Sequence, residues 1–245
     1  MTYASINGLQ LYYEVHGSGR PIVMLPGGLL TLDFNFGPLL APLAANRQVI
    51  AVELQGHGHT TDPGREMTIE ALAADVVALL DHLGIAEADF FGLSLGGLVA
   101  YEVALTAPAR VGKLVVASAD PLRPPGRESV QIDDHLLPTA ADFQAMRDAH
   151  EAVAPEPARF DELAAKVTKL VHETPRWSAD SVRSLRMPTL LIFGDRDFSP
   201  LADVLETFGL LPNAQLAVLP GATHMGIVRR PGEVLTLMTP FLDGH

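Results

Sequence analysis

The sequence predicts an α/β fold, in which a doubly wound, mostly parallel sheet of about eight strands carries an N-terminal hairpin and an inserted helical lid. Two features predict the sheet: short apolar runs alternate with amphipathic helical segments, and an Asn-Gly dipeptide separates the first two runs. A third feature predicts the insertion, because the alternation stops between residues 120 and 187. At 245 residues, we expect one domain over 1–245 with 120–187 as the lid.

The predicted strands begin with a hairpin. Residues 3–6 and 9–15 flank Asn7-Gly8, a dipeptide suited to the positive φ angles of a type I′ turn. The remaining runs are short and mostly apolar, as expected of parallel strands buried on both faces. These runs are 22–25, 48–53, 89–91, 113–117, 189–193 and 215–219.

Helical periodicity fills the intervals between the strands. Similar apolar stripes follow Ser94 and cover residues 201–210 and 231–242. The segment 120–187 is too long for a plain loop and has no convincing buried strand, so we expect helices there. The clearest stripe of the sheet domain contains Ile69, Leu72, Val76, Leu80 and Leu83. The two stripes of the lid contain Phe143, Met146, His150 and Val153, then Phe160, Leu163, Val167 and Leu170.

Composition excludes several classes of function. With 29 acidic and 17 basic residues the net charge is −12, which argues against a nucleic-acid partner. There is no cysteine, so the chain has neither a disulfide nor a thiolate nucleophile. No apolar run reaches the ~18 to 20 residues of a membrane span, and no signal-like segment opens the chain. We therefore expect a cytoplasmic protein with no membrane partner, and the oligomeric state stays open.

The most informative motif is Gly92-Leu93-Ser94-Leu95-Gly96, a G-x-S-x-G pattern between a predicted strand and a predicted helix. Small residues on both sides permit a tight turn that lifts the serine side chain clear of the sheet. The alternative is a Gly-rich turn with an incidental serine, which the flanking strand and helix disfavour. The pattern predicts Ser94 as a nucleophile.

A serine hydroxyl needs a base to remove its proton, and His224 fits that need best among the nine histidines. It follows the last predicted strand, in a loop at the carboxyl end where open α/β sheets place their sites. His57 and His59 form an H-x-H pair, but spacing supplies no third metal ligand. We therefore expect a structural loop there and no metal.

The acid that orients the histidine is expected between serine and histidine in chain order, after a strand. Two candidates, Asp195 and Asp197, follow the predicted strand 189–193. Spacing alone does not separate these two carboxylates.

From the hairpin to the final helix, the chain resembles the α/β-hydrolase family, and most weakly in the lid. Members often show G-x-x-D followed by proline at the acid, and Gly194, Asp197 and Pro200 fit that pattern. The resemblance thus selects Asp197, leaves Asp195 as a turn or salt-bridge residue, and makes Asp120 a second choice, since some relatives use that position.

Two loops extend the resemblance. Residues 55–60 are similar to the family's G-H-G-x-S loop, and Pro26-Gly27-Gly28 stands where many relatives have a His-Gly pair before an oxyanion-hole residue. Pro26 replaces that histidine. The resemblance implies that the backbone amides of Gly28 and Leu95 form the oxyanion hole, which a side-chain change at Pro26 need not abolish.

The resemblance implies a serine hydrolase without cofactor or metal, similar to carboxylesterases, enol-lactonases and cofactor-free haloperoxidases. Serine at the elbow disfavours the branches with an aspartate nucleophile. The expected substrate is a small or medium uncharged carboxylic ester or lactone, cleaved through an acyl-enzyme on Ser94 in an apolar pocket. Alternatives are attack by hydrogen peroxide, C–C bond hydrolysis, or a ligand-binding sensor with negligible turnover. The expected pocket residues are Leu29, Phe143, Met146, Trp177, Phe198 and Met225.

Overall fold

A computed structural model describes residues 2–122, 136–173 and 177–244. Parts of the predicted lid, 123–135 and 174–176, lie outside the described residues. Within the described ranges eight strands form one sheet in the order β1-β2-β4-β3-β5-β6-β7-β8. The strands are β1 (Thr2–Ile6), β2 (Leu9–His16), β3 (Arg20–Leu25), β4 (Arg47–Val52), β5 (Ala88–Leu93), β6 (Val111–Ala117), β7 (Thr189–Arg196) and β8 (Ala214–Thr223).

The strand directions confirm the predicted sheet. Strand β2 runs antiparallel to both β1 and β4, and the other neighbouring strands are parallel. The predicted hairpin is present: Ile6 pairs with Leu9, and Asn7 and Gly8 have φ angles of +46° and +85°. Positive φ at both central residues is what a type I′ turn requires.

The central strands lie inside the hydrophobic core. Every residue of β5 is buried, as are the last four residues of β3, β4 and β6. Helices cover both faces of this sheet, which explains why these strands are continuous apolar runs rather than alternating ones. The helices of the sheet domain are α1 (Leu32–Ala44), α2 (Ile69–His82), α3 (Leu95–Thr106), α7 (Leu201–Leu210), α8 (His224–Val228) and α9 (Pro231–Asp243).

Helix α1 is not predicted by the sequence pattern, because Pro38 and Pro42 fall inside it and proline disrupts helices. Both prolines are exposed and lie four residues apart, so they share the outer face of the helix. Phe36 and Leu39 are buried on the inner face. Burial of that apolar face stabilises the helix despite the lost backbone hydrogen bonds.

Among the described residues between β6 and β7, where the strand and helix alternation stops, there are three α-helices. They are α4 (Ala140–Glu151), α5 (Phe160–Glu173) and α6 (Ala179–Ser184); α5 contains the whole second predicted stripe, whereas α4 contains the first stripe except Val153, which follows its end. In α4, Met146 and His150 are buried but Phe143 is 46% exposed. The four apolar residues of the α5 stripe, Phe160, Leu163, Val167 and Leu170, are all buried.

Candidate active site

Ser94 occupies a sharp turn between the end of β5 and the first residue of α3. Its backbone has φ +49° and ψ −115°, a conformation that a non-glycine residue adopts only at a cost of ~1 to 3 kcal/mol. The surrounding sheet holds the turn, since the Ser94 amide donates to the Ala117 carbonyl at 2.8 Å. Strained serine backbone at a strand-to-helix turn is the local geometry that a nucleophile elbow requires.

The two glycines of the motif are required by close packing of backbone. A Cβ at Gly92 would lie 2.3 Å from the carbonyl oxygen of Gly96. A Cβ at Gly96 would lie 2.0 Å from the carbonyl oxygen of Leu25, on the neighbouring strand. Any side chain at either position would push the turn away from the sheet. The glycines therefore allow α3 to start directly against the strand ends.

His224 follows β8, and its imidazole lies beside Ser94 at the carboxyl edge of the sheet. Its Nε2 lies 2.9 Å from Ser94 Oγ, and its Nδ1 lies 3.0 Å from Asp197 Oδ1. The imidazole also stacks on the Phe198 ring, with centroids 4.0 Å apart. The sequence places His224 in a loop, whereas it is the first residue of α8, which begins where β8 ends at Thr223. Five residues are too few for apolar periodicity to reveal a helix.

Asp197 follows β7 and is almost completely buried. Its Oδ2 accepts a hydrogen bond from Ser118 Oγ at 2.6 Å, and its Oδ1 accepts from the Ser199 amide at 3.2 Å as well as contacting His224. Burial opposes ionisation, but the attraction of His224 and these hydrogen bonds outweigh it and hold the pKa of Asp197 below its ordinary value. The carboxylate is therefore ionised and fixed beside the imidazole.

Ser118 is a site residue that the sequence analysis missed. It comes directly after β6, and its backbone has φ +52°, an uncommon value for serine. Its amide donates to the Ile192 carbonyl at 3.0 Å, so the sheet fixes this residue too. The available signal was positional: a polar residue immediately after a buried parallel strand lies at the same edge as the acid.

The other two candidate acids have different partners. Asp195 is exposed, and its Oδ1 accepts a hydrogen bond from the Gly221 amide at 2.5 Å, as a turn residue would. Asp120 is buried, and its Oδ1 accepts from Thr207 Oγ1 at 2.9 Å and from the Leu122 amide at 3.0 Å. Neither carboxylate is the hydrogen-bond partner of His224, which is Asp197.

The loop 26–30 and the start of α3 present the two expected oxyanion donors, Gly28 and Leu95. Both residues line the same cavity as Ser94. Leu95 is the first residue of α3, so its amide has no acceptor within the helix. The loop is held by a hydrogen bond from the Gly27 amide to buried Asn35 Oδ1 at 2.9 Å, and by one from the Leu30 amide to the Gly27 carbonyl at 3.1 Å.

Buried Glu53 connects the start of α1, which follows the loop 26–30, to residues 55–60. Its carboxylate accepts hydrogen bonds from the Leu32 amide at 3.1 Å and from the His59 amide and ring at 2.6 and 3.0 Å. Burial raises the pKa of Glu53 against the effect of these donors. The carboxylate thus anchors the start of α1 next to the proposed oxyanion loop.

The two histidines of the H-x-H pair have different hydrogen-bond partners. His57 Nδ1 donates to the Gln55 carbonyl at 2.9 Å, whereas His59 contacts Glu53. Burial lowers the pKa of His57 to about 4, and nearby His150 of α4 acts in the same direction. Within 2–122, 136–173 and 177–244 there is no group of three or more His, Cys, Asp or Glu side chains suited to a metal ion.

A cavity of about 160 Å³ opens above Ser94, between the sheet edge and the helices α4 and α5. Five of the six expected pocket residues line this cavity. The sixth, Trp177, was wrongly expected there and lies outside the lining. Its Nε1 donates to Glu102 Oε2 at 2.8 Å, and its ring lies 6.0 Å from that of Tyr101. An indole N–H seeks an acceptor when it is partly buried, and Glu102 supplies one away from the cavity. The five residues are Leu29, Phe143, Met146, Phe198 and Met225.

Comparison with known proteins identifies the family. Residues 20–166 match the model of the α/β hydrolase fold. The chain is also 31% identical, over 99% of its length, to the dihydrolipoyllysine-residue acetyltransferase component of the acetoin cleaving system of Pseudomonas putida, of which the match covers 69%. The chain therefore belongs to the α/β hydrolase fold family, an enzyme family of hydrolases and related activities.

Two further likenesses span almost the whole chain. A non-heme haloperoxidase of Rhodococcus erythropolis is 27% identical, with 89% of this chain and 90% of that protein covered. The enol-lactonase of Burkholderia xenovorans LB400 superimposes with a TM-score of 0.78 at 22% identity, covering 99% and 100% of the two chains. At that identity the second likeness establishes the fold alone.

Among the described residues, no helix combines the length and the hydropathy that a membrane span requires.

Proposed function

We propose that this protein is a serine hydrolase that cleaves a small or medium uncharged carboxylic ester or lactone through an acyl-enzyme on Ser94. The observation that carries the proposal is the continuous hydrogen-bonded chain from Ser94 Oγ through His224 to Asp197 at a strained elbow. These linked hydrogen bonds join a nucleophile, a base and an orienting acid in the geometry of a catalytic triad.

In the acylation step, His224 Nε2 takes the proton of Ser94 Oγ as that oxygen attacks the substrate carbonyl. The negative charge that develops on the carbonyl oxygen is received by the amides of Gly28 and Leu95. The protonated imidazole, held by Asp197, then gives its proton to the leaving alkoxide. In a lactone the leaving oxygen stays attached to the acyl group.

In the deacylation step, water replaces the leaving alcohol. His224 removes a proton from the water as it attacks the acyl carbon, and returns that proton to Ser94 Oγ when the carboxylic acid departs. The same residues thus serve both halves of the reaction. Asp197 stays ionised throughout, which agrees with the lowered pKa of its carboxyl.

We further propose that residues 120–187 form a lid within a single domain of 245 residues. Support comes from Phe143 and Met146 of α4 and Val167 of α5, which line the cavity together with Pro138 just before α4. An apolar wall of this kind favours an uncharged substrate.

The central test uses the purified protein with p-nitrophenyl esters and lactones, beside a fluorophosphonate probe. We expect the probe to label Ser94, and Ser94→Ala to lower turnover on the order of a millionfold, as in other serine triads. Leu93→Ile serves as a control because it changes the elbow without removing a reacting group. Absence of labelling and of turnover in the folded wild-type protein would remove the proposal.

A second candidate function keeps the triad and changes the acceptor of the acyl group. The likeness to a non-heme haloperoxidase favours hydrogen peroxide in place of water. Hydrolysis and peracid formation from one ester, measured side by side, distinguish the two. A sensor with negligible turnover would instead give a stoichiometric burst without steady-state release.

A further inference from the structure

The cavity above Ser94 has a polar feature that the proposed reaction does not use. Apart from Ser94 and His224, its lining side chains are apolar except for Thr168 and His172. Both belong to α5 and lie four positions apart in the sequence, so their side chains are next to each other on one face of the helix.

Thr168 and His172 are both exposed to solvent at the mouth of the cavity, and neither has a hydrogen-bond or ion-pair partner in the part of the chain that the structure describes. Threonine offers one donor and two acceptor lone pairs, and an imidazole offers a donor or an acceptor at each nitrogen. Two adjacent side chains with this capacity, at the wall of an otherwise apolar cavity, are suited to a polar group of a bound ligand.

The position of α5 relative to Ser94 determines how near Thr168 and His172 lie to the reacting carbonyl of a substrate. A Cβ built on Gly28 would lie only 2.6 Å from Val167 Cγ1, so Val167 packs directly over one of the proposed oxyanion donors. Thr168 is the next residue, and His172 is little more than one helical turn of ~5.4 Å further along α5. Since Gly28, Thr168 and His172 line the same cavity, a substrate whose carbonyl oxygen is held at Gly28 can place a second oxygen a few covalent bonds away beside this pair.

We propose that Thr168 and His172 form a subsite that hydrogen-bonds a second oxygen of the substrate, a hydroxyl or keto group a few bonds from the scissile carbonyl. The substrate class is then oxygen-substituted esters or lactones rather than plain alkyl esters. This inference rests on the proposed function, because the carbonyl is located by attack from Ser94. The cavity volume of about 160 Å³ suits a reacting portion of this size, since an engineered cavity of ~150 Å³ holds a benzene molecule.

The test compares esters that differ only at the second oxygen: methyl butyrate, methyl 3-hydroxybutyrate and methyl 3-oxobutyrate. The ratio of kcat/KM for an oxygen-bearing ester to that for butyrate is measured by titration of released acid. We expect a ratio of about ten in the wild-type protein, the size of effect that one hydrogen bond of ordinary strength gives. Thr168→Val and His172→Leu should each lower the ratio about three- to tenfold.

Two control variants separate hydrogen bonding from packing. His172→Gln retains a donor and an acceptor, so it should keep most of the ratio that His172→Leu loses. Lys169→Ala lies on the same helix outside the cavity lining and should leave the ratio unchanged. A ratio near one in the wild-type protein, or equal losses in the Leu and Gln variants, overturns the subsite while butyrate hydrolysis still supports the proposed function. No turnover of any ester overturns both.

Discussion

The carboxyl edge of the sheet carries Ser94, Asp197 and His224, and α4 and α5 form the wall of the cavity that faces it. Different interactions hold these two regions in place. At the sheet edge, buried backbone hydrogen bonds fix the turns that carry the side chains, as at Ser94 and Ser118. A backbone donor buried in this way leaves little freedom for alternative geometry.

The facing wall is held by the buried apolar stripe of α5 and by ion pairs between side chains nearer the surface. Lys166 Nζ lies 2.6 Å from Asp62 Oδ2, Arg159 lies 3.8 Å from the same carboxylate, and Arg229 pairs with Asp142. Each pair is partly exposed, and such pairs contribute only ~0 to 1 kcal/mol. The comparison indicates that backbone hydrogen bonds fix the residues at the sheet edge, whereas side-chain packing and surface ion pairs position the inserted helices.

The largest expected effect is at the sheet edge. Asp197→Asn should lower turnover roughly 10⁴-fold, because the amide no longer holds the imidazole tautomer or balances its positive charge. Asp195→Asn and Asp120→Asn should stay within about tenfold in steady-state ester assays, since these carboxylates bond Gly221 and Thr207 rather than His224. A crippling Asp120→Asn in a protein that keeps its circular dichroism would contradict this assignment of the acid.

The next effect concerns stability where the two regions meet. His57 is buried near His150 of α4, with a folded-state pKa of about 4 against ~6.5 in an unfolded chain. Between these values the unfolded chain binds the proton and the folded chain does not, so stability is full above pH ~6.5 and falls toward pH ~4. Urea unfolding across that range should show the wild-type protein losing up to about 3 kcal/mol more than His57→Asn.

The Asn variant is a matched control because its amide nitrogen can replace His57 Nδ1 as donor to the Gln55 carbonyl. Parallel curves for the two proteins would mean that the pKa of His57 in the folded chain lies close to its value in the unfolded chain. In that case the contact between the loop 55–60 and the inserted helices is more open to solvent than the structure indicates.

A smaller effect on activity is expected at Ser118. Ser118→Ala removes one of the hydrogen bonds to the ionised Asp197, and a bond to a charged group is worth ~1.5 to 3 kcal/mol. Because the His224 and Ser199 contacts remain, we expect about a tenfold loss of kcat with little change in KM. Ser118→Gly should lose as much activity but be more stable than the alanine variant, since glycine adopts φ +52° without strain. Equal activity in wild type and both variants would limit Ser118 to a structural role.

The smallest expected effect is on the facing wall. Phe143→Ala and Met146→Ala should shift the preference between short and long acyl chains by about fivefold, toward the lower end of the ~1 to 3 kcal/mol per methylene that closed pockets give. Trp177→Phe is the control, because its ring lies outside the cavity lining. A panel of p-nitrophenyl esters measures the profile, and an unchanged profile in both cavity variants would mean that other loops select the chain length.

Much of the fold was predictable because its signals are local. Strands buried on both faces read as apolar runs, and the Asn7-Gly8 turn needs only two residues to be recognised. Helix α1 was not predictable in this way, since Pro38 and Pro42 oppose a helix locally and only the buried Phe36 face favours it. Short elements such as α8, which begins at His224, offer too few residues for a period.

The sequence by itself indicated the turn at Ser94, the order of the strands and of the longer helices other than α1, and the two loops that meet at the carboxyl edge of the sheet. These follow from motifs and periodicities within a few tens of residues. Only the tertiary structure decided the partners, because contact between residues far apart in the chain leaves no local pattern. It brings Asp197 against His224, as the resemblance implies, adds Ser118 behind that carboxylate, and places Trp177 outside the cavity, where it bonds Glu102.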